Sequence, residues 1–105
     1  MATQFYTKLA GEKLVAGVDF SDRLIDGDLL TGTPTAVAAP SGPTISAVAR
    51  NTVAVTILGA SVVANKAVLF TIAAGTPETT YVVTVTALTV SGQELVERCS
   101  VRVEA

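Results

Sequence analysis

Histidine is absent from these 105 residues. With it go the commonest general base, the commonest metal ligand and every Ser–His or Cys–His nucleophile pair. Tryptophan is absent too, and aromatic residues are only 5% of the chain, too few for a platform on which nucleic-acid bases stack. The single cysteine, Cys99, cannot form an internal disulfide, which argues against a small secreted scaffold held by bridges. Seven basic residues face nine acidic ones, a net charge of -2. Without a basic excess to meet phosphates, a general nucleic-acid binder is not expected. No Gly-rich phosphate loop occurs, since Gly27, Gly32 and Gly42 stand alone as turn glycines. Nor is there an apolar run of the roughly 20 residues that a spanning helix needs. The nearest candidate, Val53 to Ala74, is broken by Asn65-Lys66 and by the turn Gly59-Ala60-Ser61. The start, Met1-Ala2-Thr3-Gln4-Phe5, lacks a basic segment followed by an apolar core, so no signal peptide is expected.

What is present points to strands. Half the residues are apolar and 15% are charged, far from a disordered composition. The apolar half is built from Val, Ala, Leu and Ile, with Thr as the polar partner to Val, and branching at Cβ in Val and Thr suits a pleated strand better than a helix. The length fits one domain with one core. Such an apolar chain is also consistent with a surface partly covered by neighbours.

Residues 1–10 carry little pattern and read as an N-terminal arm, with a single sandwich domain over 11–105. From Glu12 to Phe20 the alternation of Leu14, Ala16, Val18 and Phe20 marks a strand. Ser21 is expected to cap one helical turn over residues 21–25, with Leu24 and Ile25 turned inward. Residues 28–39 read as extended, with Pro34 excluding a central ladder position. Pro40-Ser41-Gly42-Pro43 is a turn, and 44–49 a short strand. Arg50-Asn51 reads as a two-residue turn with Asn51 left-handed, ahead of a strand over 52–58 with Val53, Val55 and Ile57 on one face. Residues 59–66 read as a loop. Further strands follow at 67–73, with Val68, Phe70 and Ile72 inward, and at 81–90, with Tyr81, Val83, Val85 and Ala87 inward. Ser91-Gly92-Gln93 closes a hairpin onto 94–103, with Leu95, Cys99, Val101 and Val103 inward. The sum is an all-β, immunoglobulin-like sandwich of about seven antiparallel strands.

The chemistry-bearing residues are few. Asp19, Asp22, Asp26 and Asp28 invite a calcium reading, but neither the order of a calcium loop nor a closing Glu is there. A capped turn with solvated acids, one of them paired to Arg23 or Arg98, fits better. Cys99 lies mid-strand among apolar neighbours and reads as a buried filler. Glu97 falls on the apolar register of its strand, so either a bulge reorients it or a basic side chain pairs with it. No catalytic, cofactor or metal site is predicted.

The segment Gly75 to Ala87 resembles the sixth strand of immunoglobulin-like and fibronectin-like domains. That resemblance implies that the Tyr81 hydroxyl bonds back to the preceding loop. Most of the chain resembles phage fibre-tail adaptors and related small virion structural proteins. The resemblance rests on Val18-Asp19-Phe20-Ser21, Leu24, Gly27-Asp28, Gly75-Thr76, Tyr81-Val82-Val83, Ser91-Gly92 and Glu97-Arg98-Cys99-Ser100. Where that family carries Trp after the Asp, this chain has Phe20.

The resemblance implies a structural part of a tailed-phage virion, at the tail, neck or fibre. Such a protein is made in the host cytoplasm and contacts other virion proteins in repeated, homo-oligomeric copies, without nucleic acid, membrane or cofactor. It implies that Asp19 and Asp28 fix the turn between the first two strands, with Arg98 as ion-pair partner of one of them. It also implies that edge strands and the arm, with Phe5, Tyr6 and Leu9, form the interface. The alternatives are a capsid decoration protein and a carbohydrate- or receptor-binding sandwich.

Overall fold

The computed structural model describes residues 4–25 and 27–105. Among the described residues, nine strands and one short 3-10 turn form two facing sheets and a small hairpin. The first sheet has the order β1-β9-β8-β3, built from β1 (Gln4–Leu9), β9 (Glu94–Glu104), β8 (Thr79–Thr89) and β3 (Leu30–Ala39). The second has the order β2-β7-β4, built from β2 (Leu14–Asp19), β7 (Ala67–Ala74) and β4 (Pro43–Arg50). β5 (Val55–Ile57) and β6 (Ala60–Val62) pair only with each other.

The core lies between the two sheets because their strands alternate with the period of the pleat. Tyr81, Val83, Val85 and Ala87 of β8 meet Leu95, Cys99, Val101 and Val103 of β9 on one inner face. Ala16 and Val18 of β2, with Val68, Phe70 and Ile72 of β7, supply the other, and Phe20 and Leu30 fill its end. Each of the buried Val, Leu, Ile and Phe side chains contributes about 1.5–3 kcal/mol by leaving water, which lets a chain of this size fold with its one cysteine unpaired.

An all-β sandwich is what the composition predicts, but several local expectations fail. Residues Gln4–Leu9 are not an arm ahead of the domain. They form β1, which adds to the edge of β9 and runs parallel to it, so the strands are not all antiparallel. The pattern hid this because Lys8, not an apolar residue, takes an inward position. It is 1% exposed, and its Nζ donates to the Leu9 carbonyl at 3.0 Å. Long aliphatic stems let lysine do this.

The helical turn spans Ser21–Arg23, but Ser21 does not cap it, and Ile25 is exposed. Asp19 Oδ1 instead accepts from the Ser21 N–H at 2.8 Å. Thr52 to Leu58 is not one strand. Asn51 donates to the Val53 carbonyl, which turns the chain away from the ladder. Val53 is therefore exposed, and only β5 remains extended. The expected loop over 59–66 contains β6. Asn51 is not left-handed. The positive-φ asparagine is Asn65, at 64°.

The β5–β6 hairpin forms a third layer. Ile57 and Val62 pack with Ala67 and Leu69 on the outer side of the second sheet. Gly17 makes this approach possible. A Cβ there would stand 2.7 Å from Ile57 Cδ1 and 2.9 Å from Leu69 Cδ2.

Candidate docking surfaces

The residues expected to matter lie in five separate places. Asp28 is buried and ties two loops together. Its Oδ1 accepts from the N–H groups of Leu29 (3.0 Å) and Ser91 (3.1 Å), and its Oδ2 accepts from the Ser91 hydroxyl at 2.6 Å. The bonds from Ser91 hold its carboxyl below the usual aspartate range. Asp28 thus joins the chain entering β3 to the β8–β9 turn, where the Val90 N–H also donates to the Leu29 carbonyl. Asp19 holds the start of the helical turn, as described, at the far end of β2.

Arg98 is exposed on β9, while Asp28 commits both its oxygens to Leu29 and Ser91. The ion pair formed nearby joins Arg23 Nη1 to Glu97 Oε1 at 2.6 Å. That pairing accounts for a carboxylate on the inward register of β9, which continues against β8 without a bulge. An unpaired carboxylate there would carry a desolvation cost.

Tyr81 is buried, and its hydroxyl accepts from the Thr76 N–H at 2.8 Å. Bonds from Thr76 hold that hydroxyl below the usual tyrosine value. The ring is tight against Gly75, whose φ is 101° and whose absent Cβ would lie 3.2 Å from Tyr81 Cε2. Cys99 is buried and free, its thiol pushed up to about 12 by burial. Of the four aspartates read together in the sequence, Asp26 lies outside the described residues. No group of three potential ligands that could hold a metal occurs among the described residues. Among them, too, no helix is long and apolar enough to cross a membrane.

The three residues assigned to an interface divide. Phe5 and Leu9 are 55% and 52% exposed on β1, open to a partner. Tyr6 points the other way. Its hydroxyl donates to the Gly17 carbonyl at 2.8 Å and accepts from the Gly17 N–H at 3.0 Å. Burial raises its pKa. Tyr6 therefore caps the free edge of β2 and blocks pairing there.

Two features escaped the sequence. Asn51 is 2% exposed and pins the whole 51–67 segment. Its Nδ2 donates to the carbonyls of Val53 (3.0 Å), Val63 (2.8 Å) and, at 3.4 Å, Val62. Its Oδ1 accepts from the N–H groups of Lys66 (3.1 Å) and Ala67 (3.0 Å). Exposed apolar side chains also gather at one end of the sandwich. Ile25, Leu29 and Val90 stand on the loops that Asp28 ties together, and Val53 and Val63 stand on the segment that Asn51 pins. The signal was available in part, since apolar residues in turn segments are unusual where water alone is the neighbour.

No curated protein matches this chain. The family described as podophage GP4 fiber-tail adaptor protein gp77 matches residues 8–102. The match begins within β1 and runs to within three residues of the C-terminal end of the sequence, taking in both sheets, the Asp28 tie and the Tyr81 corner. The chain belongs to the podophage GP4 fibre-tail adaptor family and is a structural component of the virion.

Proposed function

We propose that this chain joins fibre to tail by repeated protein–protein contacts, in several copies around the particle, and does so without catalysis. Family membership carries the reading, and the distribution of exposed apolar residues supports it. One end of the sandwich presents Ile25, Leu29, Val53, Val63 and Val90 on backbone fixed by Asp28 and Asn51. A rigid apolar end suits a permanent joint, because little conformational entropy is lost on docking. The exposed Phe5 and Leu9 of β1 extend the contact surface along one edge. The strand order also supports the immunoglobulin-like reading. If β2, β7 and β4 are taken as B, E and D, and β3, β8 and β9 as C, F and G, the constant-type arrangement results, with β1 added beside β9. Asp19, Asp28 and Tyr81 act in this reading as structural ties.

The test is quantitative mass spectrometry of purified virions, with electron microscopy of particles made without the chain. The expected result is a fixed multiple of copies per particle and tails that lack fibres. Intact virions that do not contain the chain would refute the reading.

A further inference from the structure

The two sides of the sandwich differ. On one side, Tyr6 of β1 closes the edge of β2. On the other, the edges of β3 and β4 lie side by side, and both break register. β3 shifts between Thr31 and Thr35, around Pro34, and β4 shifts between Ser46 and Ala49, where Ala47 takes a φ of 53°. The two irregularities open a hollow of about 240 Å³. Gly32, Thr33 and Pro34 wall it from β3, and Val48 and Arg50 from β4.

Among the described residues, Arg50 is the only charged one lining the hollow. It is half-buried, and its position is fixed. Nε donates to the Gly32 carbonyl at 3.4 Å, and Nη1 donates to Asn65 Oδ1 at 2.5 Å. Both partners are neutral. Among the described residues, no carboxylate pairs with the guanidinium and no hydrogen-bond partner meets Nη2. A guanidinium held rigid at the wall of a hollow is prepared for a planar carboxylate, which it can meet with two donors. Strand addition does not suit this edge, because Pro34 lacks an N–H and both strands are bulged. A polyanion does not suit it either, since one cation in a chain of net charge -2 offers no phosphate-binding field.

We propose that this hollow receives a Glu or Asp side chain of a neighbouring virion protein, its carboxylate on Arg50 and its stem against Pro34 and Val48. The identity of the neighbour rests on the proposed function, whereas the chemistry of the hollow does not. The acidic side chain acts as a key that sets orientation, and the apolar end of the sandwich supplies the bulk of the contact.

The test uses the full chain and N-acetylglutamate N-methylamide as probe, with the N-acetylglutamine analogue as control, read by backbone amide NMR shifts. The expected result is saturable shifts at residues 32–34 and 48–52 with the glutamate probe only. They should weaken as salt is raised and vanish in Arg50→Gln. Thr33→Met, which fills the hollow from its exposed rim and leaves the bonds of Arg50 in place, should also abolish them. An equal response to both probes, no response, or a response unchanged in Thr33→Met overturns the proposal. Because no virion enters this experiment, its failure is separate from absence of the chain from particles.

Discussion

Replacing Asn51 by Ala tests whether one side chain holds the segment between the second sheet and the hairpin. The substitution removes five hydrogen bonds, two accepted from Lys66 and Ala67 and three donated to Val53, Val62 and Val63. The bonds to the Ala67 N–H and the Val62 carbonyl are fully buried, so water cannot replace them without opening the structure. A buried group left unpaired costs about 1–3 kcal/mol. Counting the Ala67 N–H in full, the long Val62 bond lightly and the part-buried groups as mostly rehydrated gives about 3 kcal/mol. That is a large share of the roughly 5–15 kcal/mol typical of a domain. It lowers the melting temperature by roughly 12–24 °C, at about 4–8 °C per kcal/mol. Asn51→Asp should be as harmful, because a carboxylate would face three carbonyls where an amide now donates. Thermal and denaturant unfolding give the magnitude, and hydrogen exchange at Ala67 gives the location. An Asn51→Ala protein melting within about 4 °C of the parent, equivalent to under about 1 kcal/mol, would refute the reasoning.

Four further outcomes are expected. Gly17→Ala inserts a Cβ against Ile57 and Leu69 and should cost about 1–3 kcal/mol by overpacking. Loss of exchange protection should be confined to β5 and β6, and an unchanged stability would show that the hairpin does not rest on Gly17. Tyr81→Phe leaves the Thr76 N–H without its acceptor and should cost about 1 kcal/mol, and a variant of equal stability in urea would remove the corner from the list of ties. The Asp28 carboxyl should titrate below an ordinary aspartate and move up in Ser91→Ala. Because its folded pKa is depressed, its contribution is complete above the unfolded value of about 3.9 and is lost as the pH falls through the folded value. The stability gap between parent and Ser91→Ala should therefore shrink in acid, and a gap that is flat across this range contradicts the assignment. The Cys99 thiol should not react with a disulfide reagent at pH 8 until the protein is unfolded, and rapid modification of the native chain would place it at the surface.

The long strands were legible because water enforces their period. In β2, β7, β8 and β9, with Glu97 as the exception, every second side chain is apolar and faces the core, so the register is written in the residue types. The last hairpin was legible for the same reason, with Ser91-Gly92 supplying its turn. β1 was not, because its inward residues are Tyr6 and Lys8 and its partner lies some ninety positions away. Asn51 reads as a turn residue in any local window, and only its partners at 53, 62, 63, 66 and 67 reveal that it is interior. Glu97 was recognised as out of place, yet its partner, Arg23, is separated from it by most of the chain. The Arg50 hollow depends on two irregularities meeting across a seam. Pro34 announces one of them, and nothing in residues 44–50 announces the other.

The position of β9 has a consequence for how the protein is made. It is the last strand in chain order, yet it lies inside the four-stranded sheet, between β8 and β1. Neither neighbour has its ladder partner on that side until residues 94–104 have been synthesised. The first strand waits until residues 99–104 have been made, and the contacts it then forms are among the most distant in sequence, the kind that form slowly. A nascent chain that stops short of β9 leaves β1 and β8 with open edges and the inner face of the first sheet without Leu95, Cys99, Val101 and Val103. This virion component therefore completes its first sheet only when β9 arrives.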